Sequence, residues 1–566
     1  FRNDLPTDRD TRFVIRYVCT NPAEGLIFVL PDAGHPDRPA QAHTLGQSEF
    51  SRYWFPCHDF PNERWTTELI VTVQDRYRVL SNGRLVEHRK SDSRATYHWR
   101  QDLPHVAYLV SLVIGEFEVI EDQWRGIPVT YWFDKGREAD ARRTFARTPE
   151  MLTFYSDLFG YDYPYAQYAQ VCVQRFALGG MEHTSATTLY DEVLYDEQAA
   201  IDHDQDGLIS HELAHQWFGD LITCKSWEHI WLNEGFATFA DELWYEHWKG
   251  NDRYVYDKWL VYREVSAADS SESPDALRWK RYQHPGDTFS HKGSLPYKKG
   301  SSVLHMLRHQ LGDDVFFDGL RQYVQTYAGS QVETDDFRRV MEAAGGRNLE
   351  QFFRQWTRRP DVPRLDVRYT WHAEDNVAEV VIRQRQPIDR DHPAFATPLD
   401  LYFRTNGKEV VVREQLTQAR EVLRRHFDAK PDLFCVDPHA GLLKSLKSVK
   451  PRTMWLTQLA EGPTVAARCE AAVNLCRSDR PEVVHALATV ATDRTAFWGV
   501  RAEAARALGT MRSEQARTAL LRLLASGDVI DHPKARRAAV EALGMTLAQD
   551  VASDVDSPPY DKALVD

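Results

Sequence analysis

The stretch His211–His215 reads HELAH, and it decides how the rest of the sequence is interpreted. Its two histidines are four positions apart, so in a helix both imidazoles lie on one face and can bind one ion. A catalytic zinc takes three protein ligands and keeps one position for water. Glu234, in a later NEGFA segment, is far enough from His215 for a second helix to return alongside the first. We therefore predict one zinc ion bound by His211, His215 and Glu234, with Glu212 as the base for the attacking water.

The sequence allows two alternatives to a zinc site at this stretch. HELAH by itself also occurs in ordinary charged helices, and only the later glutamate argues against that interpretation. Upstream, Asp202, Asp204, Asp206 and Gly207 match the first positions of a calcium-binding EF-hand loop. Such a loop needs a bidentate glutamate at its twelfth position, which is Leu213 here. We therefore expect an acidic turn that leads into the zinc helix, where negative charge favours the helix dipole.

Length and composition indicate a large globular protein of several domains. The chain has 566 residues, of which 43% are hydrophobic and 27% charged. At roughly 100–200 residues per domain, that length predicts about three to five domains. The net charge of −14 without a long basic run argues against nucleic acid as a partner. No run of roughly 18 apolar residues is present, so we expect no membrane span.

The cysteines bear on the compartment. The seven cysteines are scattered, odd in number and form no C-x-x-C pair, which indicates isolated thiols rather than a disulfide framework or a second zinc site. Unpaired thiols slightly favour the cytoplasm. The chain opens at Phe1 without Met, so we expect a missing N-terminal segment, and a removed signal peptide would make the protein secreted or periplasmic. The compartment and the oligomeric state therefore stay open.

Periodicity divides the chain into four regions, the first two of which carry the motifs. Residues 1–134 predict an antiparallel β domain, truncated at its start, because apolar and polar residues alternate between turn residues. We predict strands there at 12–18, 68–73 and 108–114. Residues 135–360 predict a mainly helical catalytic domain. Its predicted elements are a helix at 139–158, a strand at 168–174, two long helices within 207–250, and helices at 301–310, 314–327, 334–344 and 349–356.

The last two regions differ from the catalytic one. Residues 361–446 return to alternating strands, with 377–382 and 409–412 the clearest, and predict a small β-sandwich. In residues 447–566, similar segments at 470–475, 503–508 and 538–543 recur at a spacing near 33–35 residues. That period predicts stacked helix pairs of the HEAT or armadillo kind. We expect this array to be incomplete, because no capping helix follows Ser557.

Two further motifs accompany the zinc stretch and carry a family resemblance. Residues 179–183 read GGMEH, and Tyr297 stands in the segment PYKKG. A G-x-M-E-N segment before H-E-x-x-H, a distant glutamate, and a tyrosine followed by Lys-Gly are typical of the gluzincin aminopeptidase family. The sequence resembles this family from Phe1 through the sandwich. The resemblance implies a thermolysin-like catalytic domain and a zinc aminopeptidase that acts on peptides with a free N-terminus.

The resemblance also assigns site residues. It makes Glu182 the carboxylate that binds the substrate α-ammonium, with Gly179, Gly180 and Met181 completing the substrate-binding segment. It makes Tyr297 the hydroxyl donor that stabilises the oxyanion opposite the zinc. A carboxylate that binds the amine one residue from the cleaved bond selects an exopeptidase.

The sequence departs from the family pattern at two substrate-binding positions. His183 stands where the family has the asparagine of G-x-M-E-N, so the contact with the substrate backbone is lost or replaced by an imidazole that titrates near neutrality. Gln47 stands where the family has a second amine-binding carboxylate, and a neutral amide attracts an ammonium less than a carboxylate does. We expect a weaker or altered preference for the first residue.

Two further hypotheses complete the sequence analysis. Asp241 follows Glu234 by two helical turns, and we expect it to accept a hydrogen bond from a ligand histidine. The alternative function is a catalytically weak scaffold that uses the helical repeats to bind a partner. Only the departures at His183 and Gln47 favour the scaffold, because neither a ligand nor the base is missing.

Overall fold

The structure is a computed structural model that describes residues 11–268, 276–290, 295–511, 513–525 and 532–553. Its architecture confirms the predicted fold class: a β-rich N-terminal region, a mainly helical catalytic region, a β-sandwich and a C-terminal array of helices. No helix among the described residues is long and apolar enough to cross a membrane. The expected lack of a capping helix after Ser557 concerns residues outside the described ranges.

The N-terminal region consists of two antiparallel sheets, a four-stranded one in the order β1-β2-β7-β4 and a three-stranded one in the order β3-β6-β5. The strand predicted at 68–73 is confirmed as part of β3, which pairs antiparallel with β6. The bounds are β1 Gly25–Val29, β2 Gln41–Leu45, β3 Trp65–Gln74, β4 Arg78–Ser81, β5 Arg84–Ser91, β6 Arg94–His105 and β7 Leu112–Gly115.

Two of the strands predicted for this region need correction. The strand predicted at 12–18 is wrong, because residues 11–20 pair with no strand and are exposed. Apolar and polar residues alternate in this segment, but the segment packs on no sheet of the described part of the chain. The strand predicted at 108–114 is right only in its second half, where β7 lies. Tyr108 and Leu109 instead form a buried 3₁₀ turn that faces the catalytic region.

A five-stranded sheet crosses the boundary predicted at residue 134. Its order is β11-β12-β10-β9-β8, and β10 pairs in parallel with both β9 and β12. The strand predicted at 168–174 is the fully buried central strand of this sheet. The bounds are β8 Glu118–Trp124, β9 Ile127–Phe133, β10 Tyr168–Val173, β11 Gly180–Met181 and β12 Ala186–Tyr190.

The helices of the catalytic region follow the predicted periodicity except at two of the predicted helices, and α5 (Asn251–Ala268) and α6 (Asp287–Ser290) lie where no helix was predicted. The helix predicted at 139–158 is two helices, because Pro149 takes a first-turn position at which a new helix begins. The first zinc helix has only nine residues, since the chain turns sharply after His215 through Gly219, whose φ is 144°. The bounds are α1 Glu138–Thr144, α2 Thr148–Phe159, α3 Asp206–Ala214, α4 Trp231–Lys249, α5 Asn251–Ala268, α6 Asp287–Ser290, α7 Gly300–Leu311, α8 Asp313–Tyr327, α9 Thr334–Gly345 and α10 Glu350–Thr357, with short strands β13 Thr223–Cys224 and β14 Gln331–Val332.

The sandwich packs the sheets β19-β16-β15-β21 and β18-β17-β20 on each other. Its strands are β15 Arg364–His372, β16 Val377–Gln384, β17 Thr397–Thr405, β18 Lys408–Leu416, β19 Arg420–His426, β20 Leu433–Val436 and β21 Ser445–Val449. The recurring segments of the helical array lie at equivalent places in α12, α14 and α16. Its helices are α11 Arg452–Glu461, α12 Val465–Leu475, α13 Pro481–Thr492, α14 Trp498–Thr510, α15 Glu514–Ala525 and α16 Pro533–Ser553.

Candidate active site

The helices α3 and α4 bring His211, His215 and Glu234 together. One ligand atom from each residue lies within 4.8 Å of the others, and this is the one such group of three found among the described residues. Glu234 Oε2 lies 3.5 Å from His211 Nε2 and 3.2 Å from His215 Nε2. The packing of α3 on α4 therefore converts two distant sequence segments into one cluster of donors.

The outer nitrogen of each histidine is also bound. His211 Nδ1 lies 3.2 Å from Asp241 Oδ2, which is the contact expected from the sequence. His215 Nδ1 lies 2.8 Å from the backbone oxygen of Phe218, in the sharp turn after α3. Both rings therefore present Nε2 to the cluster, an arrangement that fixes the tautomer and orientation of a metal-binding imidazole.

The donor set fits zinc. Two imidazole nitrogens and one carboxylate are the ligands of a common catalytic zinc site, which leaves one coordination position open. Burial lowers the pKa of both histidines, but the nearby carboxylates raise it by a larger amount. The pKa of His215, which lies beside Glu182 and Glu234, is raised to about 9. Burial raises the pKa of Glu234, but the two histidines lower it more, so this carboxylate stays ionised.

Glu212 points into the space between the zinc ligands and the GGMEH segment. Burial raises its pKa to about 7, against the smaller opposing effect of the two histidines. Its Oε2 is buried and has no hydrogen-bond partner among the described residues. A Cβ atom at Gly180 would overlap Glu212 Oε1 and lie 2.5 Å from its Cδ, so the glycine makes room for this carboxylate. At Gly179 the same atom would make only ordinary contact with Leu208 at 3.4 Å.

Glu182 lies just after β11 and is 3% exposed. Its pKa is raised by burial and by Glu234, whereas His215 and His211 lower it. Its Oε1 has no hydrogen-bond partner in the described part of the chain. Met181 packs beside it in an apolar cluster with Tyr108, Cys224 and Trp227. The segment therefore presents a carboxylate at the edge of an apolar surface.

His183 differs from the expectation that its imidazole titrates near neutrality. The ring is fully buried, and burial together with nearby His43 lowers its pKa to about 3. Its Nδ1 lies 2.9 Å from Thr188 Oγ1, within the same sheet. The side chain is therefore neutral near pH 7 and is held by Thr188, because the turn points it into the protein.

Gln47 lies in the loop after β2 and is half-buried. Its Nε2 is buried and, within the described ranges, has no hydrogen-bond partner. The neighbouring Gly46 approaches the backbone of Tyr108 so closely that a Cβ atom there would lie 2.6 Å from the Tyr108 oxygen. No hydrogen bond links Gln47 to Glu182 among the described residues. The loop nevertheless places Gln47 next to the Tyr108 turn that packs on Met181.

Tyr297 lies in a π-helical turn, Leu295–Lys299, that leads into α7. Its ring centroid is 6.0 Å from that of His211. Burial, then Glu234 and Glu182, raise the pKa of its hydroxyl well above the usual value, so the hydroxyl keeps its proton. Two glycines let this turn lie close to α4, because a Cβ at Gly300 would be only 2.8 Å from the Cα of Gly235, the residue directly after Glu234.

Sequence reasoning did not identify several polar residues that hold these groups in place. Asn233 accepts a hydrogen bond from the Cys224 nitrogen and donates one to the Tyr108 hydroxyl at 3.1 Å. Gln216 lies between the zinc helix and the Glu182 turn. In the sequence, the one sign of their importance is that Asn233 and Gln216 each stand next to a predicted zinc ligand.

Comparisons with known proteins agree with this geometry. A model described as the peptidase family M1 domain matches residues 143–356, and the peptidase M1 N-terminal domain matches residues 2–109. The chain belongs to peptidase family M1, the gluzincin aminopeptidases. The family resemblance drawn from the motifs is thus confirmed. A model of HEAT repeats matches residues 453–544, as the recurring segments predicted.

The M1 relatives of this chain carry aminopeptidase names. Aminopeptidase M1-C of Oryza sativa subsp. japonica is 30% identical over 336 residues, which cover 57% of this chain and 37% of that protein. Probable aminopeptidase 1 of Sulfurisphaera tokodaii is 26% identical over 388 residues, covering 67% and 48%. The matched part is therefore about a third to a half of each relative's length.

A solved aminopeptidase structure has the same fold. Aminopeptidase A of Legionella pneumophila, in a complex with aspartic acid, matches 94% of this chain and 67% of its own with a TM-score of 0.75. Its sequence identity is 18%, so the match shows the fold alone. Zinc is the metal expected for the M1 family, and the donors of this chain fit it.

Proposed function

We propose that this protein is a zinc aminopeptidase that removes the first residue of peptides with a free N-terminus. The observation that carries the proposal is a buried carboxylate, Glu182, next to a His-His-Glu donor set that fits zinc. The aminopeptidase names of the M1 relatives support the same activity. The substrates are peptides, since the chemistry needs an amide bond beside an α-ammonium.

In this mechanism His211, His215 and Glu234 hold the zinc. When bound, zinc supplies the Lewis acid that polarises the carbonyl and acidifies the attacking water. Asp241 and the Phe218 carbonyl keep the two imidazoles oriented. The ionised Glu234 adds negative charge that favours the cation.

Glu212 takes the proton from the attacking water and passes it to the leaving amine. Without zinc, burial raises its pKa to about 7, and the charge of bound zinc would lower it, which favours the ionised form that a general base needs. The space beside Gly180 lets the carboxylate reach the reacting atoms. A base whose pKa lies near the working pH accepts and returns a proton with little loss in either direction.

Glu182 binds the α-ammonium and Tyr297 stabilises the oxyanion. An ammonium gives the unpartnered Glu182 Oε1 a charge-assisted hydrogen bond in a water-poor site. Tyr297 donates a hydrogen bond from its hydroxyl group, which stays protonated because its pKa is raised. Between them the two groups place the first peptide bond, rather than a later one, at the zinc ligands.

The experiment is a panel of aminoacyl para-nitroanilides assayed with and without a chelator. We expect chelator-sensitive cleavage of at least one member and an about 10³-fold loss of kcat in Glu212→Gln with zinc still bound. Full activity in Glu212→Gln would contradict the mechanism. Absence of chelator-sensitive cleavage for every member would favour the scaffold hypothesis.

A further inference from the structure

Gln216 directly follows the ligand His215, and its side chain is fully buried. Its Nε2 donates a hydrogen bond to the backbone oxygen of Glu182 at 3.0 Å. Its Oε1 accepts one from the backbone nitrogen of Ser185 at 2.8 Å. One amide therefore binds both ends of the turn 182–185, and the donor and acceptor it meets fix which end of the amide is oxygen.

The turn needs such support because its backbone is unusual. Ser185 has a φ of 61°, in the left-handed region that a residue with a side chain rarely adopts. The N-terminal region supports the turn from the opposite side: Asn82 Nδ2 donates to the Thr184 oxygen and the Gly83 nitrogen donates to Ser185 Oγ, both at 2.7 Å. The turn is thus bound from both sides, and Gln216 supplies the contact from the zinc helix.

The position of Gln216 in the chain links this turn to the metal ligands. Its nitrogen bonds to the Leu213 oxygen at 3.1 Å and the His215 nitrogen to the His211 oxygen at 3.2 Å, so Gln216 stands in the turn that directly follows α3 and its backbone is bonded to the last turn of that helix. Because the backbone of Gln216 is fixed and its side chain makes two hydrogen bonds to the turn, the turn can move little relative to His215. The distance from Glu182 to the zinc ligands therefore depends on the Gln216 amide.

We propose that Gln216 is a positioning residue that sets how far the amine-binding carboxylate lies from the zinc ligands, and so which peptide bond is cut. The proposal rests on the proposed function, because the register matters only if Glu182 binds the substrate amine. Gln216 touches neither substrate nor metal in this role. It acts through the turn that carries Glu182.

The test compares Gln216→Met with Gln170→Met. Gln170 is a second fully buried glutamine of the catalytic region, on β10, where it accepts a hydrogen bond from Thr148, and among the described residues no hydrogen bond joins its side chain to the turn. The substrates are leucine para-nitroanilide and its Nα-acetyl derivative, and zinc content is measured alongside. For Gln216→Met we expect about 10²-fold lower kcat/KM on the free amine, carried mainly by KM, because misplacement by about 1 Å costs that much. Zinc content stays unchanged, and the preference for the free amine over the acetylated substrate falls about 10-fold.

A second measurement does not depend on catalysis. Hydrogen exchange at the Ser185 amide should be at least about 10-fold faster in Gln216→Met, because this amide loses its acceptor, and unchanged in Gln170→Met. Unchanged exchange at Ser185, or an equal loss of kcat/KM in both variants, would overturn the proposal. A wild-type protein that cleaves no member of the aminoacyl para-nitroanilide panel would instead refute the proposed function, while faster exchange would still show that Gln216 holds the turn.

Discussion

The proposed zinc-binding side of the active site has its charges paired, whereas the proposed amine-binding side does not. On the first side, Glu234 lies within 3.5 Å of both imidazoles, and the outer nitrogens bond to Asp241 and Phe218. On the second side, Glu182 Oε1 and Gln47 Nε2 have no hydrogen-bond partner among the described residues. A buried carboxylate oxygen without a hydrogen-bond partner is costly unless a cation or a proton meets it.

This difference indicates what each side does before substrate arrives. The zinc-binding side holds its own geometry, because each group is fixed by another part of the protein. The amine-binding side leaves an acceptor for a positive group that comes from outside. Four predictions test this contrast.

The largest effect is expected on the zinc-binding side. His215→Ala removes one of three ligands and leaves Glu234 without its nearest positive partner, so we expect loss of zinc and an about 10³-fold or greater fall in activity. Glu182→Gln serves as the matched change on the other side, with activity reduced but zinc retained. Metal analysis and kinetics measure both, and zinc loss in Glu182→Gln would contradict the separation of the two sides.

The next effect concerns the boundary between the sides. Gly180→Ala places a Cβ atom against the Glu212 carboxylate, which must move away from the reacting atoms. We expect an about 10²-fold lower kcat with zinc unchanged, the size typical of a 1 Å misplacement. Gly179→Ala is the control, because its Cβ meets only Leu208 at 3.4 Å. Equal kcat in the two variants would mean that Gly180 does not make room for the base.

A third prediction uses the buried histidines behind the amine-binding side. Burial lowers the pKa of His43 to about 4, whereas an unfolded histidine titrates near 6.5. Between these values the unfolded chain binds the extra proton, so stability falls as pH drops below 6.5. His43→Phe should reduce the loss of unfolding free energy between pH 7 and pH 5 by about 2 kcal/mol, measured by urea unfolding. The same change at exposed His426 should leave that loss unaltered.

The smallest effect is expected from Gln47→Glu, which adds a carboxylate to the amine-binding side. A second negative charge near the ammonium should lower KM about 3- to 10-fold with kcat nearly unchanged, because partly screened charges interact by about 1 kcal/mol. Steady-state kinetics on leucine para-nitroanilide measures it. A higher KM would indicate that Gln47 does not face the amine.

The sequence predicts the zinc-binding side better than the amine-binding side. Helical spacing alone places His211 and His215 on one face, and the structure brings Glu234 to them. The roles of Glu182 and Tyr297 depended on the family resemblance, because neither residue has a local pattern that marks it. The two hydrogen bonds between the Gln216 side chain and the turn could not be predicted, since they depend on how a loop folds against a helix.

The errors in the fold have a related cause. The strand predicted at 12–18 had the right alternation but no partner strand, and pairing is a property of the whole sheet. The single helix predicted at 139–158 ignored Pro149, which begins a new helix. His183 matched an expected binding position, but its burial depends on neighbours such as His43 that lie far away in the sequence.

The five-stranded sheet has a consequence for dividing this protein into fragments. β9 and β10 pair in parallel, but β9 comes before residue 134 in the chain and β10 comes after it. A fragment that begins at residue 135 therefore loses β8 and β9 and exposes the edge of β10. Such an edge is prone to pair with other chains and aggregate. An expressible catalytic fragment would therefore begin before Glu118, and a purification that fails from residue 135 would report on a missing pair of strands rather than on the zinc chemistry.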